Sequence, residues 1–193
     1  KKLQQRIEKL SGLDDEKGHV QLLKSHRSTK ERIKEYTGLY AQLFEITGKP
    51  NSVLDLACGL NPLSYPFLGC TPEYYAYELT PSDAELLQQY FKKMNIKGKA
   101  VAADLTKKNR FPKTDICFLF KAVNTLETIQ RGVTKELLSQ LQSTWVVVSF
   151  ASKSLGGKKT IPATARAWFE RLIQGNEYSL LETVNEMYYV IHT

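Results

Sequence analysis

The chain has 193 residues, of which 42% are hydrophobic, so it can build one domain around one sizeable core. Charged residues make up 24%, with 11 Gly and 7 Pro, which excludes a disordered or collagen-like chain. No apolar run approaches ~18 residues, and the N-terminus lacks a signal-peptide pattern. We therefore expect a cytoplasmic protein with no membrane span. The 3 cysteines cannot all pair and show no C-x-x-C spacing, which argues against a disulfide scaffold and a metal site.

Basic residues outnumber acidic ones, 27 to 20, giving a net charge of +7. Such an excess favours a polyanionic partner. The cations are concentrated in residues 92–113, where Asp104 is the single acid, and again in residues 24–34. A solvated face and an RNA-contacting face are both compatible with these runs.

The first part of the chain predicts helices. Residues 1–27 indicate a short basic helical arm, broken near Gly12, that must pack on another part of the protein. Ser28-Thr-Lys-Glu31 has the pattern of a capping box. Apolar residues at spacings of three and four then predict one helix that ends before Gly48 and Pro50.

The rest of the chain alternates between strand and helix patterns. Apolar or β-branched runs predict five strands, at residues 53–57, 74–79, 100–105, 116–120 and 145–150. Helical patterns begin at Ser82, Val133 and Pro162, so the crossovers imply a parallel sheet covered on both faces. Residues 179–184 and 187–191, joined by Asn185 and Glu186, predict a terminal antiparallel hairpin. Five parallel strands followed by an antiparallel hairpin resemble the α/β, Rossmann-like plan of a class I methyltransferase, so we expect a seven-stranded, mostly parallel sheet.

Acidic residues lie at the carboxyl ends of three successive predicted strands. Asp55 runs into a small-residue turn with Gly59, which lets backbone amides approach a ligand, although the turn is not G-x-G-x-x-G. Glu78 ends the second strand, where a carboxylate suits the two hydroxyls of a ribose. Asp104 ends the third strand, where its carboxylate could accept a hydrogen bond from the exocyclic amine of an adenine. Helix capping is the alternative, but three acids at one edge favour a nucleoside pocket.

Four segments in order carry a family resemblance: His26-Arg-Ser-Thr-Lys-Glu-Arg32, Asp55-Leu-Ala-Cys-Gly-Leu-Asn-Pro-Leu63, Phe118-Leu-Phe-Lys121 and Ser149-Phe-Ala-Ser-Lys-Ser-Leu-Gly-Gly157. Across residues 20–193 the chain resembles the Arm family of aminoglycoside-resistance 16S rRNA (guanine-N7) methyltransferases. The resemblance implies S-adenosylmethionine as cofactor, S-adenosylhomocysteine as product, and a guanine N7 in the decoding site of the small ribosomal subunit as target. Residues 28–193 would form the methyltransferase domain, behind the arm of residues 1–27.

The resemblance also implies roles for individual residues around the cofactor. Arg32 would bind the carboxylate of the methionine moiety, as a guanidinium can with two parallel bonds; pairing with Glu31 or Glu35 on a helix surface is the alternative. The remaining contacts would come from the three strand ends: Asp55, Ala57 and Gly59 at the amino end of methionine, Glu78 at the ribose, and Asp104 with Leu105 at the adenine.

Catalysis and RNA binding complete the implied roles. Lys121 and Asp104 would position the reactants, with no general base, because guanine N7 carries a lone pair and no proton. RNA contacts are expected at Lys153, Lys158, Lys159 and Arg166, from a basic glycine loop and the helix that follows it. We expect a monomer that binds 16S rRNA without a metal or a membrane.

Two departures from the family pattern leave alternatives open. Family members carry a separate helical docking domain ahead of the first motif, whereas only 25 residues precede His26 here; an absent upstream segment and a minimal relative both fit. Glu78 stands where an Asp is usual. A methyltransferase of another RNA or of a small molecule, and a non-catalytic RNA-binding relative, are the competing hypotheses.

Overall fold

A computed structural model describes residues 2–153 and 160–193. The strands in chain order are Ser52–Leu56 (β1), Glu73–Glu78 (β2), Gly98–Ala102 (β3), Thr114–Phe120 (β4), Ser143–Ala151 (β5), Tyr178–Glu182 (β6) and Glu186–His192 (β7). The α-helices are Lys2–Glu8 (α1), Glu16–Leu23 (α2), Arg27–Arg32 (α3), Tyr36–Thr47 (α4), Pro81–Met94 (α5), Val123–Ile129 (α6), Val133–Ser139 (α7) and Ala167–Leu172 (α8). Two 3-10 helices, Asn61–Leu68 and Ala163–Arg166, complete the described elements.

The seven strands form one mixed sheet in the order β3-β2-β1-β4-β5-β7-β6. The first five pair in parallel, and β7 pairs antiparallel with both β5 and β6. The predicted fold class is confirmed. The strand order reverses at β1 and β4, and the carboxyl ends of strands at such a point are where open α/β sheets bind ligands.

Each face of the sheet is covered by helices. On one face, α2, α4 and α5 pack against alternate residues of the strands, such as Val53 and Phe118. On the other face, α6, α7 and α8 pack against the intervening residues, such as Leu54 and Cys117. Helices on both faces explain why the strands of the sequence read as continuous apolar runs rather than alternating ones.

The arm of residues 1–27 packs against the first of these faces. Leu22 and Leu23 of α2 are fully buried in its core. His19, also fully buried, has Nδ1 2.8 Å from the backbone oxygen of Asp15 and Nε2 3.0 Å from the hydroxyl of Tyr90 on α5. The helices of the arm therefore share the core of the sheet domain.

Some predicted boundaries were wrong. The expected single helix ending at Thr47 is two helices, α3 and α4, interrupted at residues 33–35, although Gly48 does end the second one. Ser28 lies inside α3 and makes no capping bond. Strand β3 ends at Ala102, so Asp104 lies two residues beyond it. The terminal hairpin turn is also displaced, because Glu186 is the first residue of β7.

The cysteines are free, and Cys58 and Cys117 are buried. No helix within the described residues is both long and apolar enough to span a bilayer.

Candidate active site

The acidic residues of β1 and β2 lie on the same face of the sheet. Asp55 is the ladder partner of Ala76, and Glu78 follows Ala76 by two residues. Because side chains alternate along a strand, Asp55 and Glu78 both point to the face covered by α4 and α5. The ladder therefore brings the two predicted residues together at the carboxyl edge of the sheet.

Asp55 is a buried carboxylate with one oxygen engaged. Its Oδ2 accepts bonds from Asn61 Nδ2 at 2.9 Å and from the Tyr74 hydroxyl at 2.7 Å, and Asn61 is itself held by the Tyr36 hydroxyl. Its Oδ1 has no partner among the described residues. Burial raises the pKa of Asp55 to about 6, against the two hydrogen bonds, which lower it. This oxygen is buried, and a donor that reached it would satisfy it; a cationic donor would also favour the ionised form.

The turn after β1 is tied to the end of β2. Ala57 and Gly59 both have positive φ, 49° and 51°, and this left-handed conformation is costly for the alanine. The amide of Gly59 donates to Glu78 Oε2 at 2.8 Å. Strained backbone is retained only where the surrounding structure holds it in place. The bond to Gly59 therefore fixes the conformation of the turn and the position of the Glu78 carboxylate relative to each other.

Asp104 and Leu105 lie in the loop after β3. The Ala103 amide donates to the backbone oxygen of Glu78 at 2.8 Å, which starts this loop beside the end of β2. Asp104 is exposed, and its Oδ1 accepts from both the amide and the hydroxyl of Thr106; these bonds lower its pKa. Leu105 is buried. Asp104 thus presents an ionised carboxylate at the edge that Glu78 also occupies.

Arg32 has a partner that neither sequence alternative included. Its Nε and Nη2 donate to the two carboxylate oxygens of Glu186 at 2.7 and 2.9 Å, and its guanidinium stacks over Phe120 at 5.0 Å from the ring centroid. Arg32 is only 2% exposed, so the helix-surface alternative was wrong. Nη1 is the guanidinium nitrogen that Glu186 does not engage, and the hydroxyl groups of Tyr36 and Tyr188 lie close to the guanidinium.

Lys121 follows β4 in a left-handed conformation, with φ of 56°. Its Nζ lies 2.9 Å from Glu31 Oε2 and 3.3 Å from Glu186 Oε1. Its amide donates to the hydroxyl of Ser149 at 3.0 Å. Lys121 is therefore held at the carboxyl edge by two carboxylates rather than projecting freely.

The residues predicted to contact RNA are divided. Lys153 is half-buried and forms an isolated bridge with Thr160, while Lys158 and Lys159 lie outside the described residues. Arg166 is only 8% exposed, which does not suit a direct phosphate contact. Of the consecutive aromatic residues on α8, Phe169 is fully buried and Trp168 packs edge-on against Phe150 at the rim of a core.

Sequence reasoning missed several residues of this edge. Glu186 was assigned to a hairpin turn, although a turn pair without glycine was a weak signal for one. Asn61, inside a quoted motif, received no role. Leu79, next to Glu78, is 62% exposed, and an exposed leucine directly after a candidate ribose ligand could form an apolar wall for a nucleobase.

The donor set at this edge suits a zwitterionic nucleoside. Carboxylates can accept from hydroxyl and ammonium groups, and a guanidinium nitrogen can donate to a carboxylate. Among the described residues, no group of three His, Cys, Asp or Glu side chains is arranged to bind a metal ion.

Comparison with known proteins agrees with this geometry. The 16S rRNA (guanine(1405)-N(7))-methyltransferase of Micromonospora rosea is 33% identical over 174 residues, which cover 86% of this chain and 63% of the relative. The solved 16S rRNA methylase RmtB matches with 26% identity and a TM-score of 0.82, covering 99% of this chain and 73% of that one. The methyltransferase RmtF, solved in complex with S-adenosyl-L-homocysteine, has the same fold, with a TM-score of 0.83 at 24% identity over 99% and 75% of the two chains.

The chain spans less than two thirds of the length of the curated relative. The family model described as ribosomal RNA methyltransferase (FmrO) matches residues 14–190, from α2 to the end of the sheet. The resemblance drawn from four short motifs is confirmed, and the chain belongs to this family of ribosomal RNA methyltransferases.

Proposed function

We propose that this protein binds S-adenosylmethionine and methylates N7 of a guanine in 16S rRNA of the small ribosomal subunit, and so confers aminoglycoside resistance. The observation that carries the proposal is the bond from the Gly59 amide to Glu78, beside Asp55 on the same face of the sheet. The guanine target in the proposal is taken from the M. rosea relative, which is named a 16S rRNA (guanine(1405)-N(7))-methyltransferase.

The residues at this edge fit the cofactor. The unpartnered Oδ1 of Asp55 suits the amino group of its methionine part, and Glu78 Oε1, whose one bond is a long 3.4 Å contact from the Thr80 amide, suits the ribose hydroxyls. Asp104 and the buried Leu105 suit the adenine, and Nη1 of Arg32 suits the carboxylate.

When bound, the cofactor supplies a methyl group made electrophilic by a sulfonium. Guanine N7 already carries a lone pair, so the protein need not remove a proton before attack. The work left to this chain is alignment and electrostatics. Asp55 would hold the methionine part of the cofactor and Glu78 its ribose, and Lys121, held by Glu31, stands where the RNA or the cofactor approaches.

The partner side of the proposal rests on charge. Lys153, Lys158 and Lys159, with the basic run of residues 92–113, suit the phosphates of rRNA. The lysines and Arg110 of that run are exposed. We further propose that residues 28–193 act as the methyltransferase domain, that the arm of residues 1–27 supports it, and that it acts as a monomer.

Calorimetry with S-adenosylhomocysteine tests the pocket. We expect the wild-type chain to bind, and Glu78→Gln to bind about tenfold or more weakly, because it loses charge-assisted hydrogen bonds. Glu73→Gln, an exposed glutamate at the other end of β2, is the matched control and should bind as wild type. Absence of wild-type binding at millimolar ligand would refute the enzyme proposal and favour an RNA-binding relative.

Transfer of a tritiated methyl group tests the substrate. Isolated small subunits, intact ribosomes, tRNA and a metabolite pool are offered in parallel, and we expect label in the small subunits, with a primer-extension stop in the decoding region. Label in tRNA or in the metabolites would replace this substrate with another. Expression in a sensitive bacterium should raise aminoglycoside tolerance, and Asp104→Ala should abolish both the label and the tolerance.

The double variant Lys158→Ala with Lys159→Ala separates RNA binding from cofactor binding. It should leave the affinity for S-adenosylhomocysteine unchanged, weaken RNA binding and reduce its salt dependence. Equal loss of cofactor binding in this variant and in Asp104→Ala would show that the pocket is wrongly mapped.

A further inference from the structure

Glu186 is a carboxylate in a position where a charge is costly. It is the first residue of β7 and has no solvent exposure. Its oxygens accept from Nε and Nη2 of Arg32 and from the hydroxyl of Ser149 at 2.8 Å, with Nζ of Lys121 at 3.3 Å. A fully buried carboxylate that several donors contact differs from an ion pair at the surface, because each of these side chains is held in one position by the packing around it.

The carboxylate is ionised at neutral pH. Burial opposes ionisation of Glu186, but the charge and hydrogen bonds of Arg32, together with Lys121 and Ser149, outweigh it and bring its pKa below the usual range. With Glu31 on the far side of Lys121, and Arg27 paired with Glu31 at 3.2 Å, the cluster contains three cations and two carboxylates. Glu186 is therefore an ionised carboxylate that directly faces two cations, Arg32 and Lys121.

Stability alone does not explain such a cluster. Replacing a buried ion pair by packed apolar side chains is often neutral or stabilising, so the pair is weak evidence for a purely structural role. What the cluster does impose is orientation. The Arg32 side chain is held by its bidentate ion pair with Glu186 and by the ring of Phe120. The Lys121 ammonium is held between Glu186 and Glu31.

The cluster lies on the same face as the candidate cofactor ligands. Tyr188 and Val190 belong to the core on the face of Asp55, and Glu186 shares that face because it precedes Tyr188 by two residues. Ser149 pairs in the ladder with Phe120, one residue before Lys121. Because β7 is antiparallel to β5, its first residue, Glu186, lies beside the carboxyl end of β5 and therefore at the carboxyl edge of the parallel strands.

We propose that Glu186 is a positioning residue, which fixes the Arg32 guanidinium and the Lys121 ammonium in the orientation that receives the methionine end of the cofactor. This inference rests on the proposed function. Glu186 itself need not contact the cofactor. Its contribution is to order two long, flexible side chains before the cofactor binds. The conformational entropy of these side chains is then not lost on binding, and the affinity is higher.

The test is Glu186→Gln, which keeps the shape and removes the charge. We expect weaker binding of S-adenosylhomocysteine with an unchanged number of sites per chain, and a kcat about 10²-fold lower, as for misplaced catalytic groups. KM for small ribosomal subunits should stay at its wild-type value. Glu182→Gln, on the exposed side of the neighbouring strand β6, is the matched control and should leave all three quantities unchanged.

Calorimetry separates positioning from a structural role. Loss of folded protein would lower the number of binding sites at wild-type affinity, and that result in Glu186→Gln would overturn the proposal. Ser149→Ala keeps every charge and removes the hydrogen bond to Glu186 together with the one from the Lys121 amide, so it loosens the same cluster if the first variant does not fold. It should weaken binding about two- to tenfold.

Two further outcomes are distinguishable. If the wild-type chain binds and methylates, and both Ser149→Ala and Glu186→Gln behave as the wild type does, this inference is overturned and the proposed function stands. Failure of the wild-type chain itself to bind S-adenosylhomocysteine would overturn both.

Discussion

The buried carboxylate of Asp55 makes a quantitative prediction about pH. If its free Oδ1 accepts the ammonium group of the cofactor, the ligand binds the ionised form of Asp55. With a pKa raised to about 6, Asp55 in the ligand-free protein is about one tenth ionised at pH 5 and about nine tenths ionised at pH 7. The affinity for S-adenosylhomocysteine should therefore rise about tenfold between these pH values.

The same shift has a consequence for stability in the absence of ligand. Raising this pKa from 3.8 to about 6 costs the ionised folded protein roughly 3 kcal/mol. For an acid with a raised folded pKa, stability is fully present below pH 4 and is lost as pH rises through about 6. Asp55→Asn removes this loss, so at pH 7 we expect it to melt higher than the wild-type chain, and at pH 4 the two should converge.

Titration calorimetry from pH 5 to pH 7.5, in buffers of different ionisation enthalpy, measures both the affinity and the proton released on binding. Asp55→Asn should bind weakly at every pH and release no proton. An affinity that is flat or falls as pH rises, or a variant that keeps the wild-type pH dependence, would refute the assignment of Asp55 to the ammonium group.

Three other predictions concern single residues. Gly98→Ala should lower the free energy of unfolding by more than about 3 kcal/mol, because φ is +124° and the added Cβ would collide with the carbonyl of Tyr74; urea denaturation measures this, and near-wild-type stability would contradict it. Arg32→Met should cost about 3–5 kcal/mol in the same assay, since it leaves Glu186 buried without its main partner, and a neutral result would mean that the carboxylate takes up a proton at little cost. Burial lowers the pKa of His19, so its contribution to stability is present above 6.5, the ordinary pKa of a histidine, and is lost as pH falls. His19→Gln should reduce the loss of Tm between pH 7 and pH 5, and an unchanged loss would place the acid sensitivity elsewhere.

Local patterns in the sequence predicted most of the architecture. All five parallel strands were located, because buried strands read as apolar runs of a few residues between helix patterns. The family resemblance was confirmed by the comparisons with known proteins. Three of its four motifs include the carboxyl ends of β1, β4 and β5, and the first lies on α3. The 3-10 helix of residues 61–68 and helix α6 were missed, since both are short and lack a strong period.

The sequence by itself determined that three acids lie at or near the carboxyl ends of successive strands, and hence that they could meet at one edge. Only the tertiary structure decided what each acid and base contacts. Arg32 and Glu186 are 154 residues apart, and no local pattern predicts a pair that depends on how β7 inserts between β5 and β6. The raised pKa of Asp55 likewise follows from burial beneath Asn61 and Tyr74, because desolvation depends on the packing of distant segments and not on the residue type.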